Sequence, residues 1–442
     1  MKRILFIVFG FFSFINSFAQ SSHKITLQEA VTMGLTNSHT LQISKAKMDA
    51  AKAKYQQAID QALPTLKLSA GYTRLSDIDE FKVDFGNTGH PVALFPNIPN
   101  NYSSRLALGE TVFSGFRLKY AMASQQLLRD ASKIDAAKDS QEVVMNVING
   151  LFNLYKINQT HQIVNENITL AQKRVDEAIN WEKNGIATHN EVLKWQLQLS
   201  NTELAKIDLD NTYEVSNFNM NLLLGLDGNQ KLDVDSLSLF SSVASESFSF
   251  YDANGLKSRP EIQSLVLKNE TALNYYNIAK NSYWPIVSVG ANYYYSRPNS
   301  RIFPLVDEWN STWDVGINLS FDIINLYSNH HVIAEAQANI DQTKAQQAQL
   351  TDAIRSEVNQ AFITYSQSKE REKVLLRAVD QAEENYRITE NKYRSQLVLQ
   401  TELQDADNAL LKSRIEKVNA TADTQYAYYR LLKASGLLSK TY

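Results

Sequence analysis

An internal repeat constrains this chain more than any other feature. Leu35, Leu41, Ala51, Ala58 and Pro64 recur at Leu256, Ile262, Ala272, Ala279 and Pro285, a constant offset of 221 residues. Farther along, Ala171, Glu191, Leu199 and Gly225 recur at Ala382, Glu402, Leu410 and Gly436, an offset of 211. Fixed spacings of this kind mark a tandem duplication, so the fold must be built twice from one supersecondary plan. The spacing predicts a first copy over residues 20–248 and a second over 249–442. The offsets differ by 10 residues, and the difference falls between Tyr72/Tyr293 and Leu106/Ile317. The first copy therefore carries a longer loop there, as surface loops tolerate.

Each copy reads as the same series of elements. A stretch rich in Ala, Lys and Gln, with apolar residues three and four apart, predicts helix over Thr26–Leu63 and again over Ser249–Tyr283. Pro64 and Pro285 end those stretches, because proline has no N–H and disfavours helical geometry in the residue before it. The period then changes to two. Leu66, Leu68, Ala70 and Tyr72 alternate with Lys67, Ser69, Gly71 and Thr73, and Val287, Val289, Ala291 and Tyr293 alternate with Ser288, Gly290, Asn292 and Tyr294. That is the pattern of strands with one apolar and one mostly small or polar face. Loops holding Pro91, Pro96 and Pro99, or Pro298 and Pro304, lead to returning strands expected at Ser104–Phe113 and Trp313–Ile324. Glu110 interrupts the alternation of the first of these.

Between Asn100 and Arg259 the chain has no proline. From Gly115 to the break at Asn184-Gly185 it reads as one helix, a rod of about 100 Å at 1.5 Å per residue. Val144, Val147, Leu151 and Leu154 follow the coiled-coil spacing. A shorter helix near His189–Leu224 returns to Gly225, and Asp227-Gly228 opens the link to the second copy. That copy repeats the plan, with a turn near Ser395-Gln396 and a helix ending at Gly436.

Lys2 and Arg3 precede an apolar run from Ile4 to Ile15 and a small-residue exit at Ser17-Phe18-Ala19, which predicts a secretory signal over residues 1–19. The run is shorter than the ~20 residues of a membrane-spanning helix, and no later stretch is long enough either. A membrane role would therefore rest on β-strands. Two strands per copy, near the 9–11 residues of a tilted membrane strand, make four per chain. Four strands cannot close, and an open sheet edge is not tolerated in hydrocarbon, so a barrel must be shared among chains in a multiple of four strands. Trp284, Trp309 and Trp313 flank the second-copy strands as interface aromatics would. A soluble sheet packing those tryptophans is the alternative, but it leaves the long helices and the secretory signal without a shared reason.

This plan resembles the outer-membrane efflux protein family, of which TolC is the type. The likeness spans the whole mature chain. It is carried by the proline between short helix and first strand, the segment Glu110-Thr-Val-Phe-Ser-Gly-Phe-Arg117, and the turn segments Asn184-Gly185-Ile186 to Glu191 and Tyr393 to Ala406. The resemblance implies a mainly α chain with a membrane β-barrel: a tandem-duplicated, long coiled-coil α-barrel plus four strands per chain, forming a shared 12-stranded trimeric β-barrel. It implies a passive duct in the cell outer membrane, extending into the periplasm, that works as a homotrimer with a periplasmic adaptor and an inner-membrane pump. It further implies a periplasmic entrance ring of Glu402 and Asp405, with Glu191 at the matching acidic position of the first copy. Tyr393 matches the residue that latches the closed entrance. The tips Asn184, Gly185, Ile186, Ser395, Gln396 and Leu397 would receive the adaptor. Val398 stands where the family type has a basic residue, so the latch's salt bridge is not carried over. Read without the resemblance, Glu402 and Asp405 share one helix face at i, i+3 spacing, which also describes an ordinary solvated face.

Composition removes most other functions. A net charge of −3, from 44 basic and 47 acidic residues, lacks the basic footprint of a nucleic-acid binder. The absence of cysteine excludes disulfides, thiolate metal sites and Cys nucleophiles. His330, His331 and Glu335 offer only two ligands on one helix face, short of a zinc site, and no phosphate-binding loop or nucleophile elbow is present. The expectation is no enzyme and no cofactor. The leading function is export of small toxic molecules in a tripartite efflux system. Polypeptide secretion and heavy-metal export use the same fold, although 6 Met argue weakly for metal. A secreted structural coiled-coil protein would explain the helices, but not why both copies switch to period two at the same proline.

Overall fold

A computed structural model describes residues 23–77, 79–86, 89–95, 97–240 and 246–438. The expected secretory signal over 1–19 lies outside the described residues. In chain order the elements are β1 (His23–Ile25), α1 (Leu27–Asn37), α2 (His39–Asp60), β2 (Thr65–Arg74), β3 (Phe81–Val83), β4 (Val92–Phe95), β5 (Asn100–Phe113), α3 (Arg117–Lys183) and α4 (His189–Leu224). There follow β6 (Leu232–Val234), α5 (Ser236–Leu239), α6 (Phe248–Ser258), α7 (Pro260–Lys280), β7 (Ile286–Arg297), β8 (Asn310–Ser320), α8 (Asn325–Arg394) and α9 (Gln400–Ala434). No helix among the described residues is long and apolar enough to cross a membrane.

The two expected opening helices are each broken once, and at equivalent places. Ser38 leaves helical geometry with ψ 119° and divides α1 from α2, its hydroxyl accepting from the Leu41 N–H at 3.4 Å. In the second copy Arg259, 221 residues on, is extended because Pro260 follows it, and the proline opens α7 at its first position. Continuous helical periodicity hid both breaks.

The chain divides into two compact units, and both sequence copies contribute to each. One unit comprises the described residues of Met1–Leu41, Asp139–Gly255 and Arg355–Tyr442. Its core joins Ile25, Leu27, Ala30 and Val31 to Val147, Ile148, Leu151, Phe152 and Leu154 of α3, with Met220, Leu224, Leu232 and Val234, and with Ala422, Tyr429 and Leu432 of α9. The apolar residues of α3 recur at three- and four-residue spacing, and around Val143, Val144 and Met145 this 67-residue helix is buried on more than one side. β1 and β6 pair in parallel, Ile25 opposite Val234. The Asn217 side chain closes this region by donating to the Gln230 carbonyl at 2.8 Å and accepting from the Leu232 N–H at 3.0 Å.

The other unit, Gln42–Lys138 with Leu256–Ile354, contains a four-stranded antiparallel sheet in the order β2-β5-β7-β8. Register sorts its residues into two unlike faces. Leu66, Leu108, Ala291 and Val315 stand opposite one another, as do Leu68, Leu106, Tyr293 and Trp313. On the reverse face the rows are Thr65, Gly109, Gly290, Gly316, and then Lys67, Ala107, Asn292, Asp314. The apolar face is uncovered, with Trp313 73 % and Ile317 78 % exposed. A soluble sheet would bury such a face, so the tryptophans do not pack a soluble core. Aromatic clusters stand at both ends: Phe113, Phe116 and Trp284 near the helices, and Tyr72, Tyr102, Tyr295 and Trp309 at the loop end.

β5 is longer than expected, beginning at Asn100, and the alternation passes through Glu110 unbroken. Glu110 sits on the apolar face opposite Val289, and the slip in register falls later, between Thr111 and Phe113. β8 ends at Ser320, short of the expected Ile324, because Asp322 turns the chain into α8 by accepting from the Ile324 N–H at 3.2 Å. The longer first-copy loop carries the β3–β4 hairpin, which the sequence pattern did not reveal.

Candidate functional site

Two helical turns, one in each copy, have the same backbone chemistry. After α3 the Gly185 N–H donates to Glu182 O at 2.9 Å and the Ile186 N–H to Trp181 O at 2.8 Å. After α8 the Gln396 N–H donates to Tyr393 O at 2.9 Å and the Leu397 N–H to Lys392 O at 2.9 Å. This paired closure satisfies the last carbonyls of each helix and requires a left-handed residue at its centre. Gly185 has φ 73° and Gln396 φ 59°. The Asn184 side chain donates to Asn180 O and the Ser395 hydroxyl to Asn391 O, again in matching positions. Both turns present an exposed apolar residue at the apex, Ile186 and Leu397.

The turns differ in how the next helix starts. Thr188 caps α4 and Glu191 completes a capping box, its Oε2 accepting from the Thr188 N–H at 2.8 Å. The equivalent of Thr188 is Leu399, which has no side-chain acceptor, and α9 begins uncapped. The side chain of Glu402, the equivalent of Glu191, makes no hydrogen bond or ion pair among the described residues and is exposed. Asp405 is likewise exposed and unpaired, while Leu403, Ala406, Asp407 and Leu410 form the buried side of α9. Two equivalent glutamates thus have unlike tasks: Glu191 is committed to a helix end, and Glu402 is left to face water beside Asp405.

Tyr393 lies in an apolar cluster with Val175, Ala178, Val192, Trp195 and Leu403, against which Val398 packs. Trp195 Nε1 donates to its hydroxyl at 3.4 Å, and the Trp181 ring lies 5.5 Å away. Burial pushes the Tyr393 phenol up from its ordinary value. Val398 therefore supplies packing and no charge at this place. Ionic linkage occurs one turn away, through Arg174 of α3, a residue the sequence did not single out. Its side chain is 4 % exposed and pairs with Glu177 at 2.9 Å and with Glu390 of α8, and it donates to the Tyr386 hydroxyl at 3.1 Å. Burial alone would lower the Arg174 pKa, but Tyr386 and Glu390 outweigh it and raise it. Breaking such a pair leaves a buried charge uncompensated. Further bonds tie α9 to α4: Gln400 Nε2 to Glu191 O at 3.0 Å and Gln198 Nε2 to Asn408 Oδ1 at 2.9 Å.

Asp407 is the costly member of this region. It is 8 % exposed and accepts only long bonds of 3.4 Å from Asn167, so burial raises its pKa above the ordinary carboxylate range. A raised folded-state pKa means the native protein holds a proton more tightly than the unfolded chain. Stability is then lost as pH rises through the interval between the two values. The neutral isostere Asp407→Asn is expected to raise the thermal midpoint at pH 7–8. The gain should vanish below about pH 4, where the unfolded carboxyl is itself protonated. Melting curves of both proteins across that range check this; a variant less stable at pH 8 would contradict it.

The His330 and His331 rings lie 3.8 Å apart, tilted by 40°, but no group of three or more metal-ligating side chains exists among the described residues.

The family described as outer membrane efflux protein matches residues 31–226 and 253–437, one match in each sequence copy. Among solved structures, the outer membrane protein VceC from Vibrio cholerae is similar at 17% identity and TM-score 0.76, covering 93% of this chain and 96% of that one. CusC, whose structure is described in terms of transmembrane channel formation, is similar at 17% identity and TM-score 0.78, with 93% and 92% covered. The CmeC outer membrane channel of Campylobacter jejuni is similar at 16% identity and TM-score 0.74, with 93% and 86% covered. A comparison with curated proteins finds no match.

Proposed function

This chain belongs to the outer membrane efflux protein family, and from that premise we propose that three copies close one twelve-stranded barrel that conducts small toxic molecules out of the cell. It is a non-enzymatic channel protein of the outer membrane, extending into the periplasm. Energy would come from an inner-membrane pump, handed on through a periplasmic adaptor seated on the tips at Gly185, Ile186, Gln396 and Leu397. Residues 1–19 would direct secretion, and the copies over 20–248 and 249–442 would each contribute two strands of the four-stranded sheet and one of the two longest helices.

The observation that carries this reading is the four-stranded sheet with one exposed apolar face and two unpaired edges, β2 and β8. In hydrocarbon each open edge group costs several kcal/mol, on the order of a lost buried hydrogen bond apiece. Strands alternate in direction across the sheet, so β2 and β8 run oppositely. A head-to-tail ring therefore sets β8 of one copy antiparallel to β2 of the next and leaves no edge. The aromatic clusters at both strand ends suit the two membrane–water interfaces.

Planar-bilayer recording of the purified protein, combined with chemical cross-linking, tests the reading. Conductance is expected from a preparation whose cross-linked ladder stops at three chains. Oligomers that conduct nothing, or a stable folded monomer in mild detergent, would overturn it.

A further inference from the structure

We propose that the concave polar face of the sheet is a binding site for a small organic anion, one bearing a carboxylate or sulfonate group, held by Lys67 and Arg105. The inference rests on the reading that this face lines the duct. Along the paired rows of that face the strands carry three charged side chains, Lys67, Arg105 and Asp314. A fourth, Arg301, arrives from the loop after β7. Asn299 in that loop is 3 % exposed, donates to Asn310 O at 3.0 Å and accepts from the Arg301 N–H at 3.0 Å, which folds Arg301 back over the polar face.

The single carboxylate is already committed. Asp314 pairs with Arg301 at 2.6 Å and accepts from Asn292 Nδ2 at 2.7 Å. Among the described residues Arg105 has no carboxylate partner. Its Nε and Nη2 donate at 3.1 and 2.8 Å to the neutral carbonyl of Asn292, which holds the guanidinium rigidly with its far edge unused. Tyr294 steadies both arginines, with Arg301 4.0 Å and Arg105 5.5 Å from its ring centre. The Lys67 ammonium has neither an ion pair nor a hydrogen bond among the described residues. Two positive charges are therefore left without a carboxylate partner beside a hollow of about 550 Å³, floored by Gly109, Gly290 and Gly316 and bordered also by Glu110, whose strand position belongs to the apolar face. Such a volume suits a small molecule. A planar guanidinium favours carboxylate or sulfonate over chloride by offering parallel N–H groups, and cation clusters in a confined cleft raise the local anion concentration.

The test uses the full-length protein in detergent and in planar bilayers, with a naphthalene disulfonate as the probe. Equilibrium dialysis should show saturable binding, and the probe should block current when added on the side away from the helix tips. Lys67→Gln combined with Arg105→Gln should raise both the dissociation constant and the half-blocking concentration about tenfold. Lys67→Arg with Arg105→Lys, which keeps the charges, should restore at least part of both. Unchanged binding and block in the charge-removed variant, at normal conductance, would overturn the site. Charge-dependent binding to a protein that conducts nothing would instead leave the site standing and defeat the duct.

Discussion

Tryptophan in place of Gly185 will abolish export and leave the assembly intact. The residue sits at φ 73°, where a side chain costs about 1–2 kcal/mol. A Cβ built there meets nothing within 4 Å. The strain is local to a turn outside the core, and the indole projects from the apex beside Ile186, where the adaptor is proposed to seat. Gly225 gives the contrast: it has nearly the same φ, but its Cβ would lie 2.6 Å from Asn37 Cβ, so bulk there strikes the end of α1, whose Asn37 side chain donates to the Leu224 carbonyl. Export by Gly185→Trp is expected to fall to that of cells lacking the protein, with trimer yield and melting unchanged. Gln396→Gly, which relieves the same left-handed strain in the second copy, should export normally. Wild-type resistance in Gly185→Trp would move the docking site away from these turns.

How much of this was legible in the chain depended on whether the cause was local. Pro64 and Pro285 mark the change from helix to strand because proline acts on its own neighbours, and Gly185, Gly225 and Gly436 mark helix ends for the same reason. Gln396 escaped that logic, since glutamine in a left-handed turn carries no signal of its own and is betrayed only by equivalence with Gly185. The difference between Glu191 and Glu402 was written in the sequence as Thr188 against Leu399, a capping box present in one copy and missing in the other. Arg174 was not legible. Its partners Tyr386 and Glu390 are more than two hundred residues away, and its burial follows from tertiary packing alone. Glu110 misled by chemistry, because strand register continued through a residue whose charge suggested that it should not.

Removing the carboxylates of Glu402 and Asp405 should abolish the duct's preference for cations. Both side chains are exposed and unpaired, outside the side of α9 that buries Leu403, Ala406 and Leu410, so Glu402→Gln with Asp405→Asn changes no buried contact. In a trimer the double substitution deletes six charges around one axis. Charges concentrated in a ring attract counter-ions and repel one another, so a ring of these carboxylates would favour cations and raise the free energy of a narrowed entrance. Both effects depend on salt, because screening acts over ~8 Å at physiological ionic strength and ~3 Å at 1 M. Single-channel recordings of the variant should therefore lose cation preference, and block by multivalent cations should weaken about tenfold at physiological salt. In the wild type the same block should fade as salt approaches 1 M. Glu191→Gln predicts a different outcome, since its carboxylate closes a cap: about 1 kcal/mol of local stability lost and selectivity kept. If the double variant retains selectivity and block while Glu191→Gln loses them, the ring is built from the first copy's turn and the assignment to Glu402 and Asp405 fails.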